Sequence, residues 1–251
     1  MNNRFVEIRF FQPIEKEELR NSVFITGYPG FGLVGLLASK HIVSEIGLKK
    51  IGFITTRYMM EVTYYSNKLG IVYPFELYFG KVKDRKILVL LNHTIPHDRE
   101  RTIYVDTICK WLKNTGISSS ILIGGLDPRV KESETETFRW LPFSGFKGEI
   151  NAPKLVEKYI VGPLALTLLF LNAYEIPGVV ILAYAEMYRP DPRASAVAVK
   201  VVSQLLGLEI DTKKLLEEAS IIEALEEEKE RILEAIESES GGAKRGYSIH
   251  V

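Results

Sequence analysis

One cysteine, Cys109, is the only thiol in 251 residues, so no intramolecular disulfide can form. That suits a reducing compartment, and the expected location is the cytoplasm. No stretch offers ~18 clean apolar residues, the length a membrane-spanning helix needs. The most apolar run, Tyr159 to Ala185, is interrupted by Gly162-Pro163, Glu175 and Pro177-Gly178. The opening MNNRFVEIRF lacks the apolar centre of a signal peptide. Net charge is zero, from 32 basic and 32 acidic residues. No dense basic stripe with interleaved aromatics occurs, so neither nucleic acid nor membrane is an expected partner. Glutamine is confined to Gln12 and Gln204 while Glu, Lys and Ile abound, a composition of thermophilic character.

The chain is 46% hydrophobic and 25% charged, ordinary globular proportions. A chain of this length buries roughly 70–75% of the surface its unfolded form exposes, so it needs no staples. The charge is unevenly placed. Between Glu209 and Glu239 stand twelve acidic and four basic residues, a net of −8. Lys244 and Arg245 follow, which leaves about +6 for residues 1–208.

Apolar runs alternate with helical patterns, which predicts a layered α/β fold: a largely parallel or mixed central sheet flanked by helices. Strands are expected at Phe5–Arg9, Ser22–Thr26, Ile51–Thr55, Phe75–Val82, Lys86–Asn92, Ser120–Gly124 and Gly178–Ala183. Helices are expected at Leu33–Ile46, at Asp98–Asn114 with Asp98 as its cap, at Pro153–Val161 and at Leu164–Asn172. Another opens at Pro192 behind an Asp191 cap and stops at Gly207. A last helix begins after Asp211 or Thr212. The division is therefore a core domain at 1–208, an acidic helix at 209–239 and a flexible tail at 240–251, with Gly241-Gly242 as its joint.

In the last helix Ile222, Leu225, Lys229, Ile232 and Ile236 are spaced 3-4-3-4, a short seam of the kind that faces another helix. The rest of its surface is almost all Glu. So narrow an apolar stripe either lies along the body or serves an oligomer or partner contact. The tail ends Tyr247-Ser248-Ile249-His250-Val251, an apolar tip after a polar stretch. Such a tip docks in another protein's pocket or is a frayed end.

The most prominent motif is Gly27-Tyr-Pro-Gly30-Phe-Gly32-Leu-Val-Gly35, which contains GxGxxG between a strand and a helix. In a dinucleotide site these glycines let a pyrophosphate approach the helix N-terminus. That site also wants an acid about 20 residues on. The next strand instead ends Thr55-Thr56-Arg57, so close backbone packing is the preferred reading. Two more polar loops follow strands: Gly124-Gly125-Leu-Asp127-Pro-Arg129 and Glu186-Met-Tyr-Arg189-Pro-Asp191-Pro-Arg193. Asp127, Asp191 and Glu186 are candidate acids or bases, and Arg189 and Arg193 candidate anion clamps. Each also has a sufficient structural job as cap, turn or ion pair. His93 and His97 stand four apart around Pro96, not on a helix, so no metal site is expected. No GxSxG, P-loop or CxxC occurs, and no catalytic set or cofactor site can be named.

The Gly27–Gly35 motif resembles the N-terminal signature of the proteasome-assembly-chaperone family. Tyr188-Arg-Pro-Asp-Pro-Arg-Ala-Ser-Ala196 and Leu205-Leu-Gly-Leu-Glu-Ile-Asp211 resemble its C-terminal signature, and Gly124-Gly125 its internal glycine pair. The resemblance spans about Phe5 to Asp211. It implies an archaeal, homo-oligomeric, non-enzymatic chaperone with a fold similar to nucleoside phosphorylases but without their catalytic residues. It also implies proteasome α-subunits, or another assembly protein, as partner. Activating members end hydrophobic–Tyr–any, and that tail inserts between α-subunits. Here those positions are Ile249, His250 and Val251, with histidine where the pattern has tyrosine and Tyr247 three residues earlier. The alternative is a phosphorylase- or hydrolase-like enzyme built on the Gly27–Gly35 and Glu186–Arg193 loops.

Overall fold

The computed structural model describes residues 5–67 and 70–242. Its centre is an eight-stranded sheet in the order β1-β3-β6-β7-β2-β8-β10-β9. These strands are β1 (Val6–Phe10), β2 (Val23–Gly27), β3 (Lys49–Thr56), β6 (Phe75–Val82), β7 (Arg85–Asn92), β8 (Ser119–Leu126), β9 (Phe138–Phe143) and β10 (Gly178–Tyr184). β7, β2, β8 and β10 run parallel; β1, β6 and β9 run against their neighbours. The parallel strands read as near-continuous apolar runs because helices cover both faces. Six of the eight residues of β7 and all seven of β10 are buried.

On one face lie α2 (Val34–Glu45), α5 (Pro192–Leu206) and the start of α6 (Lys213–Gly242). On the other lie α1 (Lys16–Leu19), α3 (Arg101–Thr115) and α4 (Gly162–Ala173). α5 begins where expected: the Asp191 carboxylate accepts the Ala194 N–H at 2.8 Å, and Gly207 closes the helix in a left-handed conformation. Cys109 is fully buried on α3, and burial pushes its thiol up to about 12.

Four departures from expectation have local causes. α3 starts at Arg101 behind Glu100, because Asp98 pairs with the Arg101 guanidinium instead of capping the helix. Residues 153–161 form no helix. They run alongside β9, with the Leu155 N–H donating to Trp140 O at 2.8 Å, and Glu157 takes a positive φ of 53°. β9 contains Pro142, which a sheet tolerates here because β9 is an edge strand. A separate two-stranded sheet, β4 (Tyr64–Ser66) with β5 (Gly70–Val72), stands apart from the main one.

The final helix also differs from its expected span of 209–239. It begins at Lys213 and continues through Gly241-Gly242, so the glycine pair closes the helix rather than forming a joint after it. Its first turns are packed at home: Leu215 and Ala219 are buried, and Lys214 Nζ lies 2.5 Å from the Glu45 carboxylate at the far end of α2. Farther along, Glu223 pairs with Arg193 at 2.8 Å and Glu226 with Arg189, both beside the start of α5. α6 therefore crosses the body from the amino edge of the parallel strands to their carboxyl edge. The residues after Glu226 carry its axis about 24 Å farther, at ~1.5 Å per residue.

Candidate functional site

The carboxyl edge gathers every loop that the sequence singled out. β2, β7, β8 and β10 all end there, and so does β3, which runs parallel to them through two antiparallel steps. In open α/β sheets this is where ligands bind.

The glycine motif is filled by its own backbone. A Cβ on Gly35 would lie 2.6 Å from Ile123 O and 2.7 Å from Tyr28 N, so strand and helix touch directly. Gly32 has a φ of +60°, and its carbonyl accepts the Asp191 N–H at 2.8 Å. That bond ties the first loop to the third. The second joins through the Ala185 N–H to Leu126 O at 3.0 Å. The motif is a clasp among three strand ends, with Ala185 and Asp191 packed against Gly32.

The candidate acids and anion clamps are engaged with one another. Asp127 accepts the Arg129 N–H at 2.9 Å and grips its guanidinium, which holds the Asp127 carboxyl below the usual carboxylate range. Asp191 caps α5. Arg189 pairs with Glu186 at 3.1 Å and with Glu226, and Arg193 with Glu223. The Arg193 guanidinium holds the Glu223 carboxyl below its ordinary value. The loops thus serve to seat α6 across the edge. An ionised Asp127 held down by Arg129 is a poor general acid.

Beside the clasp lies a cavity of about 490 Å³ with a mainly apolar wall. Tyr28, Phe31, Ile123 and Leu164 form its inner part, and Ile95, Tyr159 and Val161 its exposed mouth. The volume falls in the range of ligand clefts. Its polar lining is sparse, with Asp127 already committed to Arg129.

A charged knot that the sequence reading missed lies at the same edge. Glu76 on β6 is completely buried. Its carboxylate meets Lys50 Nζ at 2.6 Å, His93 Nε2 at 3.0 Å, the Tyr78 hydroxyl at 2.8 Å and the Tyr73 N–H at 3.0 Å. Burial pushes its pKa up, but the bonds from His93, Lys50, Tyr73 and Tyr78 outweigh burial and hold it below the usual value. His93 is thus turned to Glu76, whereas His97 stacks on Tyr58 at 5.0 Å. The described residues contain no cluster of three or more metal-ligating side chains.

Of the partner-contact residues expected on α6, Ile222 is half-buried and Leu225 is 65% exposed. Ile232 and Ile236 lie on the same helix, but their side chains are outside the described set. Tyr247, Ile249, His250 and Val251 also fall outside the described residues. Among those residues no helix is long and apolar enough to cross a membrane.

Residues 24–230 match the model of the PAC2 family. A curated protein of Methanocaldococcus jannaschii, named only as uncharacterized, is 24% identical over 221 residues, spanning 83% of this chain and 85% of that one. Among solved structures, Pyrococcus furiosus PbaB, described as an archaeal proteasome activator, superposes with a TM-score of 0.72 at 22% identity, covering 93% of this chain and 99% of PbaB. Pyrococcus furiosus PbaA, described as an archaeal homolog of proteasome-assembly chaperone, gives 0.72 at 24% identity, covering 91% and 99%. These likenesses fix the fold as that of PAC2 structures.

Proposed function

The chain belongs to the PAC2 family, and from that premise we propose that it is a non-catalytic, self-associating cytoplasmic scaffold that presents α6 and the residues after it to a protein partner. The partner is the proteasome α-subunit. Similarity to PbaB and PbaA, described as a proteasome activator and an assembly-chaperone homolog, supports that choice.

The observation that carries the reading is the use made of the carboxyl edge. Where an enzyme keeps charged groups free for substrate, here Asp127, Glu186, Asp191, Arg189 and Arg193 are spent on one another and on α6. What leaves the edge is a helix of acidic surface that outruns its own domain. A helix with Ile221 and Leu225 exposed is suited to contact another chain. At its end stand Ile249, His250 and Val251, where activating members carry the inserting tail. His250 keeps a ring that donates a hydrogen bond and stacks.

Immobilised archaeal proteasome α-subunits should retain the full chain, and removal of Ile249–Val251 should weaken retention at least tenfold. The thermal midpoint of the body should not change. Equal retention of both forms overturns the role given to the tail.

A further inference from the structure

We propose that a second copy of this chain pairs along β1, the two strands running antiparallel about a two-fold axis at Ile8. Glu7 of each copy then faces Arg9 of the other. This rests on the self-association proposed above and gives it a surface on the main sheet, not on α6.

The two edges of the sheet are finished differently. At β9 the tract after Ala152 lies alongside: Trp140 bridges to Lys154, the Trp140 N–H donates to Pro153 O at 3.3 Å, and the Leu155 N–H donates to Trp140 O at 2.8 Å. Pro142 removes a further donor there. β1, at the opposite edge, has neither proline nor bulge. The bonds at its two ends fix which of its groups are used. The Arg57 N–H donates to Phe5 O and the Phe11 N–H to Ile51 O, both at 3.0 Å. Odd-numbered residues therefore bond to β3. Val6, Ile8 and Phe10 turn their N–H and C=O groups outward, and nothing among the described residues pairs with them. Such a row is a template for another strand. A groove of about 760 Å³ runs beside it, with Ile8, Phe10, Ile103 and Trp111 in its wall, so the edge is open to an approaching chain.

The charge pattern selects the occupant. Outward groups bond only to outward groups, so even-numbered residues of one β1 must meet even-numbered residues of the other. Setting Ile8 against Ile8 overlaps all five residues of both strands. Val6 then meets Phe10 in two pairs, a branched side chain beside an aromatic one. Glu7 meets Arg9 in two non-hydrogen-bonded pairs, the kind in which side chains stand closer. A slip of two residues one way sets Glu7 against Glu7, and the other way Arg9 against Arg9, both unfavourable. In the single chain Arg9 pairs with Glu7 of its own strand at 2.9 Å, and both side chains remain exposed to take a partner across the edge. A foreign strand would need an acid and a base at this spacing in the opposite order. A second copy presents that order simply by being rotated.

The test is light scattering across a dilution series on Glu7→Arg, on Arg9→Glu and on an equal mixture of the two chains. Both side chains are exposed, and circular dichroism confirms that each variant stays folded. Each single variant sets like charges opposite one another twice and should raise the dissociation constant of the oligomer at least tenfold. In the mixture the two bases of one chain meet the two acids of the other, and the constant should return to within threefold of the wild type. Unchanged association in the single variants overturns this interface and leaves self-association standing. Weakening in the single variants with no rescue in the mixture also overturns it, and assigns β1 to a foreign strand. A monomeric wild type removes self-association from the reading above and this interface with it.

Discussion

Glu76 is the residue on which the edge is most dependent. A fully buried carboxylate bonded to Lys50 and His93 leaves uncompensated charge when one partner is removed. Glu76→Gln should therefore cost roughly 3 kcal/mol, measured by urea unfolding at pH 7. The pH dependence has a definite sign. Because the folded pKa lies below the ordinary glutamate value, ~4.3, the knot contributes fully above that value. Its contribution is lost as pH falls through the lower folded value. Wild-type stability should drop as pH falls below the ordinary glutamate value, and Glu76→Gln should flatten that drop. Equal slopes in the two proteins would contradict the assignment. Gly35 gives a second test at this scale. An alanine methyl would press on the Ile123 carbonyl and the Tyr28 amide, neither of which can swing aside. Gly35→Ala should cost about 2 kcal/mol or fail to fold, seen in the same unfolding curves.

These residues were unequally legible. The Gly27–Gly35 turn announced itself by spacing, and the direct contact of Gly35 with the Ile123 and Tyr28 backbone is what that spacing of glycines permits. Glu76 had a signal, an acid inside the apolar run Phe75–Tyr78, but its partners Lys50 and His93 are distant in the chain and no spacing rule joins them. The acids of the three loops were readable as candidates. That Glu223 and Glu226, some 30 residues later, would occupy Arg193 and Arg189 was not.

At the scale of elements, α6 has a buried start and a more exposed stretch beyond it. Leu215 is buried in the core shared with α2 and α5, whereas Leu225 is exposed. Leu215→Ala should destabilise the protein by roughly 3 kcal/mol, and Leu225→Ala by less than about 0.5. Chemical denaturation separates them, and equal costs would mean that the far part is packed too. The surface pairs at Arg189 and Arg193 are exposed and screened by solvent, so each contributes little to stability. The long strands of strong β pattern were predicted within a few residues, Phe75–Val82 without any error. β4 and β5 were missed because runs of three residues carry no period, and β9 because Pro142 reads as a breaker until an edge position excuses it. The tract 153–161 looked helical by composition, but the backbone bonds of Pro153 and Leu155 to Trp140 overrode that preference.

At the scale of the whole molecule, sequence alternation sufficed for the layered α/β class, and the two signatures for the family. The strand order was not readable, since it depends on which edges pair across as many as 96 residues, as Val23 does with Ser119. The phosphorylase- or hydrolase-like alternative makes a contrary forecast. A ligand at the Gly27–Gly35 clasp would raise the melting temperature by ~2–4 °C near saturation. Thermal-shift screening against nucleosides, nucleotides and phosphate should instead give no response.

Light scattering of the pure chain, alone and mixed with archaeal proteasome α-subunits, tests the scaffold most directly. We predict an oligomer by itself and a heavier joint species on mixing, lost when residues 243–251 are removed. Separate elution of chain and α-subunits at micromolar concentration, coupled with turnover of a nucleoside or nucleotide, would contradict the account.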